Sequence, residues 1–155
     1  FVKAKVYTAA DIKIITDNSI PALKLYGEKV TLATQKVDKI DTLKQYEALQ
    51  NYASSNNEEY LLDLEGDISI IKKTIGDLLI VSTPSKLAKN HIELINLYSI
   101  KLTSFTNISL SKNDPIRGLV AMSTAEQDID TESKVLSSYL AALQSLGLDV
   151  GIITK

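Results

Sequence analysis

Apolar residues recur every three or four positions along most of this chain, the spacing of one face of an α-helix. The first stripe is Ile20, Leu23, Tyr26, Val30, Ala33, Val37 and Ile40, and it can be followed through Leu43 and Leu49 to Tyr52. Asp17, Asn18 and Ser19 offer capping side chains ahead of it, and Pro21 sits where a first helical turn tolerates a missing N–H. Gly27 costs roughly 1 kcal/mol relative to alanine in such a helix, which a close helix crossing would explain. A small, polar run at residues 53–57 breaks the period.

The second stripe is Leu61, Leu64, Ile68, Ile71, Ile75 and Leu78. Ser82, Thr83 and Pro84 then read as a helix stop and start, with Thr83 the N-cap and Pro84 the first helical residue. The third stripe is Leu87, His91, Leu94, Tyr98, Leu102, Phe105 and Ile108. Asp114 and Pro115 repeat the start device before the fourth, Leu119, Met122, Ile129, Leu136, Leu140 and Leu143, which Gly147 is placed to end. Residues 2–16 alternate only loosely and read as an extended lead-in or a frayed first turn. Residues 148–155 are apolar and β-branched, and read as an extended strap. The pattern predicts an all-α fold, an antiparallel four-helix bundle with short extended ends, or five helices if residues 20–52 form two. The longest helices, at about 25 residues, would span roughly 38 Å.

Composition narrows this further. At 155 residues, 45% hydrophobic and 23% charged, the chain reads as one helical-bundle domain over residues 1–155. Such a chain buries roughly two-thirds of its unfolded surface without a metal or disulfide staple. There are no cysteines, which excludes thiol catalysis, zinc-thiolate and iron–sulfur sites. The net charge is −2, and Arg117 is the lone arginine. Without a basic cluster the chain is not expected to bind nucleic acid. No apolar run reaches the 18 or so residues of a membrane span, and no signal-peptide pattern opens the chain. Because it starts at Phe1, it is expected to be a processed or trimmed form of a longer product.

Candidate chemistry is sparse. His91 is the only histidine, so no His-based metal pair and no Ser–His–Asp triad can form within one chain. Its place between Leu87 and Leu94 predicts a core histidine paired to a neighbour, the alternative being a pH-sensing one. Asp128, Asp130 and Glu132 alternate like the opening of a calcium loop but lack its glycine and distal glutamate, so a solvated acidic face is expected. Asp63, Glu65 and Asp67 are a weaker version of the same pattern. No nucleophile elbow or phosphate-cradling loop is present. Catalytic, cofactor-binding and metal-binding residues are therefore expected to be absent. Most of the seven tyrosines fall on stripes and read as core. Tyr46, Tyr52 and Tyr60 flank the polar break and could instead form an interaction patch at one end of the bundle. Asn107, Ile108 and Ser109 match a glycosylation sequon, a pattern short enough to arise by chance.

Three segments carry a resemblance. Residues 7–26 read Y-T-A-A-D-I-K-I-I-T-D-N-S-I-P-A-L-K-L-Y, followed by Gly27. Residues 78–98 read L-L-I-V-S-T-P-S-K-L-A-K-N-H-I-E-L-I-N-L-Y, and residues 113–119 read N-D-P-I-R-G-L. Together they resemble a group of uncharacterised membrane-anchored or exported helical proteins of ultra-small, genome-reduced bacteria. The resemblance implies an extracytoplasmic domain hung from an N-terminal anchor, touching the membrane only through a segment outside this chain. It carries over no catalytic residue. It casts Leu87, His91, Leu94 and Asn96 as structural signatures, with His91 and Asn96 as polar groups satisfying helix–helix contacts. The expected role is a non-enzymatic binding or scaffold domain for a protein or surface partner. Two rivals are a ligand-sensing input domain and a self-assembling component sealed by Ile95, Leu97 and Val120.

Overall fold

The computed structural model describes residues 2–148 and is predominantly helical, with five α-helices and one short pair of strands among them. The helices are α1 (Ile20–Thr34), α2 (Thr42–Ser55), α3 (Leu64–Leu79), α4 (Ala88–Leu110) and α5 (Pro115–Ser145). The stripe over residues 20–52 is thus two helices rather than one. A 3₁₀ turn at Val37–Lys39 separates them, and Asp41 caps α2 by accepting from the Lys44 amide at 3.2 Å. Val37 is fully buried in that turn, so the apolar spacing runs straight across the break. α2 runs into the polar stretch and ends within it, on Asn56 in the left-handed region at φ 55°, a conformation asparagine tolerates better than most residues.

Two helix starts follow the sequence signals. Ser19 accepts from the Ala22 amide ahead of α1, and Asp114 accepts from the Ile116 amide ahead of α5. The third does not. Ser82–Pro84 is a strand, β2, paired in parallel with β1 (Lys13–Ile15), so that Ile14 lies opposite Thr83. Thr83 is not the cap of α4; it is buried, and its hydroxyl donates to the Val81 carbonyl. A β-branched Thr followed by Pro suits an extended segment as well as a helix start. Asn18 ties together the loops leading into α1 and α4, donating to the Thr16 carbonyl and Ser85 Oγ while accepting from the Lys86 amide.

α4 is the central helix. Leu94, Ile95, Leu97, Tyr98, Phe105 and Ile108 are all buried on it, in an apolar face that covers nearly half of its circumference. Ile95 and Leu97 therefore belong to this chain's own core and cannot seal a subunit interface; Val120 does remain partly exposed. α3 and α5 flank α4, and Leu23 and Tyr26 of α1, Leu49 of α2 and Leu143 of α5 complete one continuous core. α5 closes on Gly147 at φ 82°, where the Gly147 amide bonds the Gln144 carbonyl and the Leu148 amide bonds the Leu143 carbonyl. This is a Schellman ending. Gly147→Ala should lower stability by about 1 kcal/mol, because alanine strains at positive φ, and a urea melt would register it. The strap expected at the C-terminus lies outside the described residues beyond Leu148, which is itself buried.

Candidate functional site

Two regions of the molecule combine unusual chemistry with definite geometry: a polar cluster inside the helices and an apolar groove on their outside. The polar cluster lies where α2, α4 and α5 meet. Lys101 of α4 is only 5% exposed, and its ammonium sits 2.7 Å from Glu132 of α5, itself 24% exposed. The other Glu132 oxygen accepts from the Thr42 hydroxyl at 2.9 Å. One turn away, a single oxygen of Asp128 accepts from Tyr46 at 2.7 Å, from Ser104 at 2.6 Å and from Thr124 at 3.4 Å.

Asp38 and Asp67 extend the cluster. Asp38 accepts from Thr34 at 2.9 Å, and the Tyr98 hydroxyl stands 3.5 Å off, at the outer limit of such a bond. Burial lifts the Asp38 carboxyl above its ordinary value, opposed by those hydroxyls and by the charge of Lys101. Asp67 is raised as well, by burial and then by Asp63, while its bond from Gln45 pulls the other way. Burial, followed by neighbouring carboxylates, pushes the Tyr46 and Tyr98 phenols well up. These groups compensate one another. The cavity between Lys101, Asp128 and Glu132 measures about 10 Å³, barely room for one water.

This overturns the expectation of a solvated acidic face at residues 128–132. Asp128 and Glu132 turn inward, one helical turn apart on the same side of α5, and only Asp130 behaves as a surface residue, paired with Lys134. The proposed tyrosine patch is also corrected. Tyr46 is buried and engaged with Asp128, Tyr52 is half-buried, and Tyr60 alone is exposed. Among the described residues no three Asp, Glu or His side chains are placed to hold a metal ion. Asn107 of the sequon is buried on α4, so the folded chain does not present it for modification.

His91 is fully buried between helices. Its Nε2 lies 3.0 Å from the Leu78 carbonyl of α3 and its Nδ1 lies 3.0 Å from the Tyr26 hydroxyl of α1. A carbonyl only accepts, so Nε2 carries a proton; burial disfavours a second one, and in the neutral ring Nδ1 accepts from Tyr26. Burial holds its pKa below the ordinary value, and the Leu78 bond offsets part of that. Burial pushes the nearby Tyr139 phenol up to about 12. Asn96 does not join two helices. Its carboxamide holds the backbone of Tyr7, accepting from the amide at 2.7 Å and donating to the carbonyl at 3.0 Å.

The outer groove runs between α1, the end of α3 and β2, with a volume of about 670 Å³. Its walls include Pro21, Leu25 and Leu32 of α1 and Ile80 and Val81 after α3, and Tyr26 contributes to its floor. Leu25, Leu32 and Ile80 are 56%, 67% and 78% exposed, a cluster of large apolar side chains facing solvent. Lys29, Asp17 and Asp77 are the charged groups along it. The sequence pattern alone did not single out this surface. Its signal was the seven-residue spacing of Leu25 and Leu32, a second apolar line beside the core stripe of α1. Lys101 was missed too, although a lysine between Tyr98, Leu102 and Phe105 is a charge set into an apolar stripe. No described helix is long and apolar enough to cross a membrane. No protein family, curated protein or solved structure matches the chain.

Proposed function

We propose that this is a non-enzymatic binding or scaffold domain, that its scaffold is an antiparallel helical bundle, and that its working surface is the groove beside α1. The observation carrying this reading is the exposure of Leu25, Leu32 and Ile80 around one concave surface. The polar cluster supports it from the other side. Lys101 and Glu132 are engaged with each other, Glu132 and Asp128 are engaged with hydroxyls, and the space enclosed between the three holds barely one water. Along α1 the groove extends from Pro21 to Leu32, about 17 Å, or three helical turns. The partner that fits is an amphipathic helix presenting apolar residues at i, i+4 and i+7, with polar groups to meet Lys29 and Asp77. Part of the proposal, resting on the resemblance, is an extracytoplasmic setting: protease added to intact cells should then degrade the domain.

A photo-crosslinking residue at Leu25, Leu32 or Ile80, introduced in the native cells, should capture one and the same protein. The same residue at Leu62, exposed before α3 and outside the groove lining, should not capture it. Equal capture from Leu62 and Leu25 would rule out the groove as the working surface.

A further inference from the structure

A second concave site lies on the flank of α4 where α5 and residues 2–8 meet it. Asn96 holds both backbone groups of Tyr7, and the Ser99 hydroxyl donates to the Lys5 carbonyl at 2.7 Å, which seats those residues along α4 as a strap. Beside the strap is a hollow of about 230 Å³. Val2 and Ala4 of the strap, Ile100 of α4, and Val120 and Ala121 of α5 form its apolar lining. Asn107 of α4 and Asp128 of α5 stand out in its polar lining.

Asn107 is 6% exposed, and its Oδ1 is buried with no hydrogen-bond partner. Native folds rarely leave such an acceptor uncompensated. The hydroxyls around the hollow cannot supply the missing proton. Thr103 donates to the Ser99 carbonyl, Ser104 to Asp128, and Thr124 to the Ala121 carbonyl and to Asp128. Each hydroxyl has one proton, so toward the hollow these oxygens offer only lone pairs. Asp128 takes all three of its hydroxyl bonds on Oδ2, which leaves its other oxygen to the hollow. No lysine or arginine lines the space, and Lys101 is committed to Glu132. The lining therefore lacks N–H donors and positive charge beside its carboxylate, and it offers apolar surface for a short hydrocarbon. A single water, at roughly 30 Å³, would not fill it. A hard divalent cation suits it poorly, since Asp128 is the one carboxylate in the lining.

We propose that this hollow is a binding site for a small primary ammonium carrying a short alkyl chain, with Asn107 Oδ1 and the Asp128 carboxylate accepting its N–H groups. The apolar lining takes the alkyl chain. Such a ligand touches α4, α5 and the strap together, so its binding fastens residues 2–4 to the helices. The site shares no lining residue with the groove beside α1 and does not rest on that reading.

Titration of n-butylammonium chloride into the full chain, followed by NMR, tests this. The methyls of Ala4, Val120 and Ala121 and the Asn107 carboxamide should shift together, with an affinity of about 1 mM for a ligand of this size, and the methyls of Leu25 should not move. Butyltrimethylammonium keeps the charge but has no N–H, and n-butanol keeps a donor but has no charge. Each should bind at least about tenfold more weakly, the loss expected for one charge-assisted bond. Asn107→Leu removes the unpaired acceptor, so it should melt no lower than the parent and bind butylammonium at least about tenfold more weakly. Asp128→Asn keeps an oxygen for the three hydroxyls, removes the charge, and should show the same loss of binding. Either control ion or alcohol binding as tightly as butylammonium, undiminished binding in Asn107→Leu or in Asp128→Asn, or no shift at the hollow would each overturn the proposal.

Discussion

Glu132→Leu should cost this fold about 3 kcal/mol, the low end for removing one partner of a buried ion pair. The cost comes from Lys101. Its ammonium is 5% exposed and 2.7 Å from Glu132, so leucine would leave a cation without its direct carboxylate partner inside the helices. For a domain of this size the melting temperature should fall by roughly 6–12 °C. Adding Lys101→Met should restore most of the loss, to within about 1 kcal/mol, since well-packed apolar residues can replace a buried pair without penalty. A thermal melt of the two single variants and the double variant measures the coupling directly. If the double variant is as unstable as the sum of the singles, the pair is not the unit described.

His91→Leu should cost a similar amount, about 3 kcal/mol at pH 7, because it strands the Tyr26 hydroxyl and the Leu78 carbonyl together. Its pH dependence is the sharper signature. The folded-state pKa of His91 is depressed, so its contribution is present above the unfolded value of about 6.5 and is lost as pH falls through the window below it. The unaltered chain should therefore lose stability between pH 7 and pH 5.5, and His91→Leu should be nearly flat there. Asp38 and Asp67 act in the opposite sense. Their folded values are raised, so their contribution is present at low pH and is lost as pH rises through those values. The parent and His91→Leu share both carboxylates, so the difference between their slopes reports His91 alone. A variant with the same slope as the parent between pH 7 and 5.5 would remove His91 from this role.

The helix boundaries that could be read from sequence are those set by local chemistry. Ser19, Asp114 and Gly147 each act through a bond to a residue at most four positions away. Features depending on distant residues were not legible. In sequence, residues 20–52 stay open between one helix and two because Val37 keeps the apolar period through a 3₁₀ turn. Ser82–Pro84 satisfies the rules for a helix start and for a strand alike, and its partner strand lies some seventy residues earlier. Asp128 and Glu132 look like a surface pair because nothing nearby in sequence shows Lys101 or Tyr46 waiting on α4 and α2. The same reason explains the tyrosines: proximity to a polar loop said nothing of which way Tyr46 turns. The groove escaped notice because Leu25 and Leu32 lie beside a stronger core stripe on the same helix.

The central claim is a division of labour, in which the polar interior holds the helices and the groove meets the partner. The direct measurement is the affinity of the partner captured at Leu25 for two full-chain variants of matched fold. Leu25→Glu with Ile80→Glu changes exposed side chains and should shift stability by no more than about 0.5 kcal/mol each. Lys101→Met with Glu132→Leu erases the interior pair. The groove variant should lose the partner while melting like the parent, and the interior variant should bind it undiminished. Binding that survives in the groove variant and disappears in the interior variant would contradict the division.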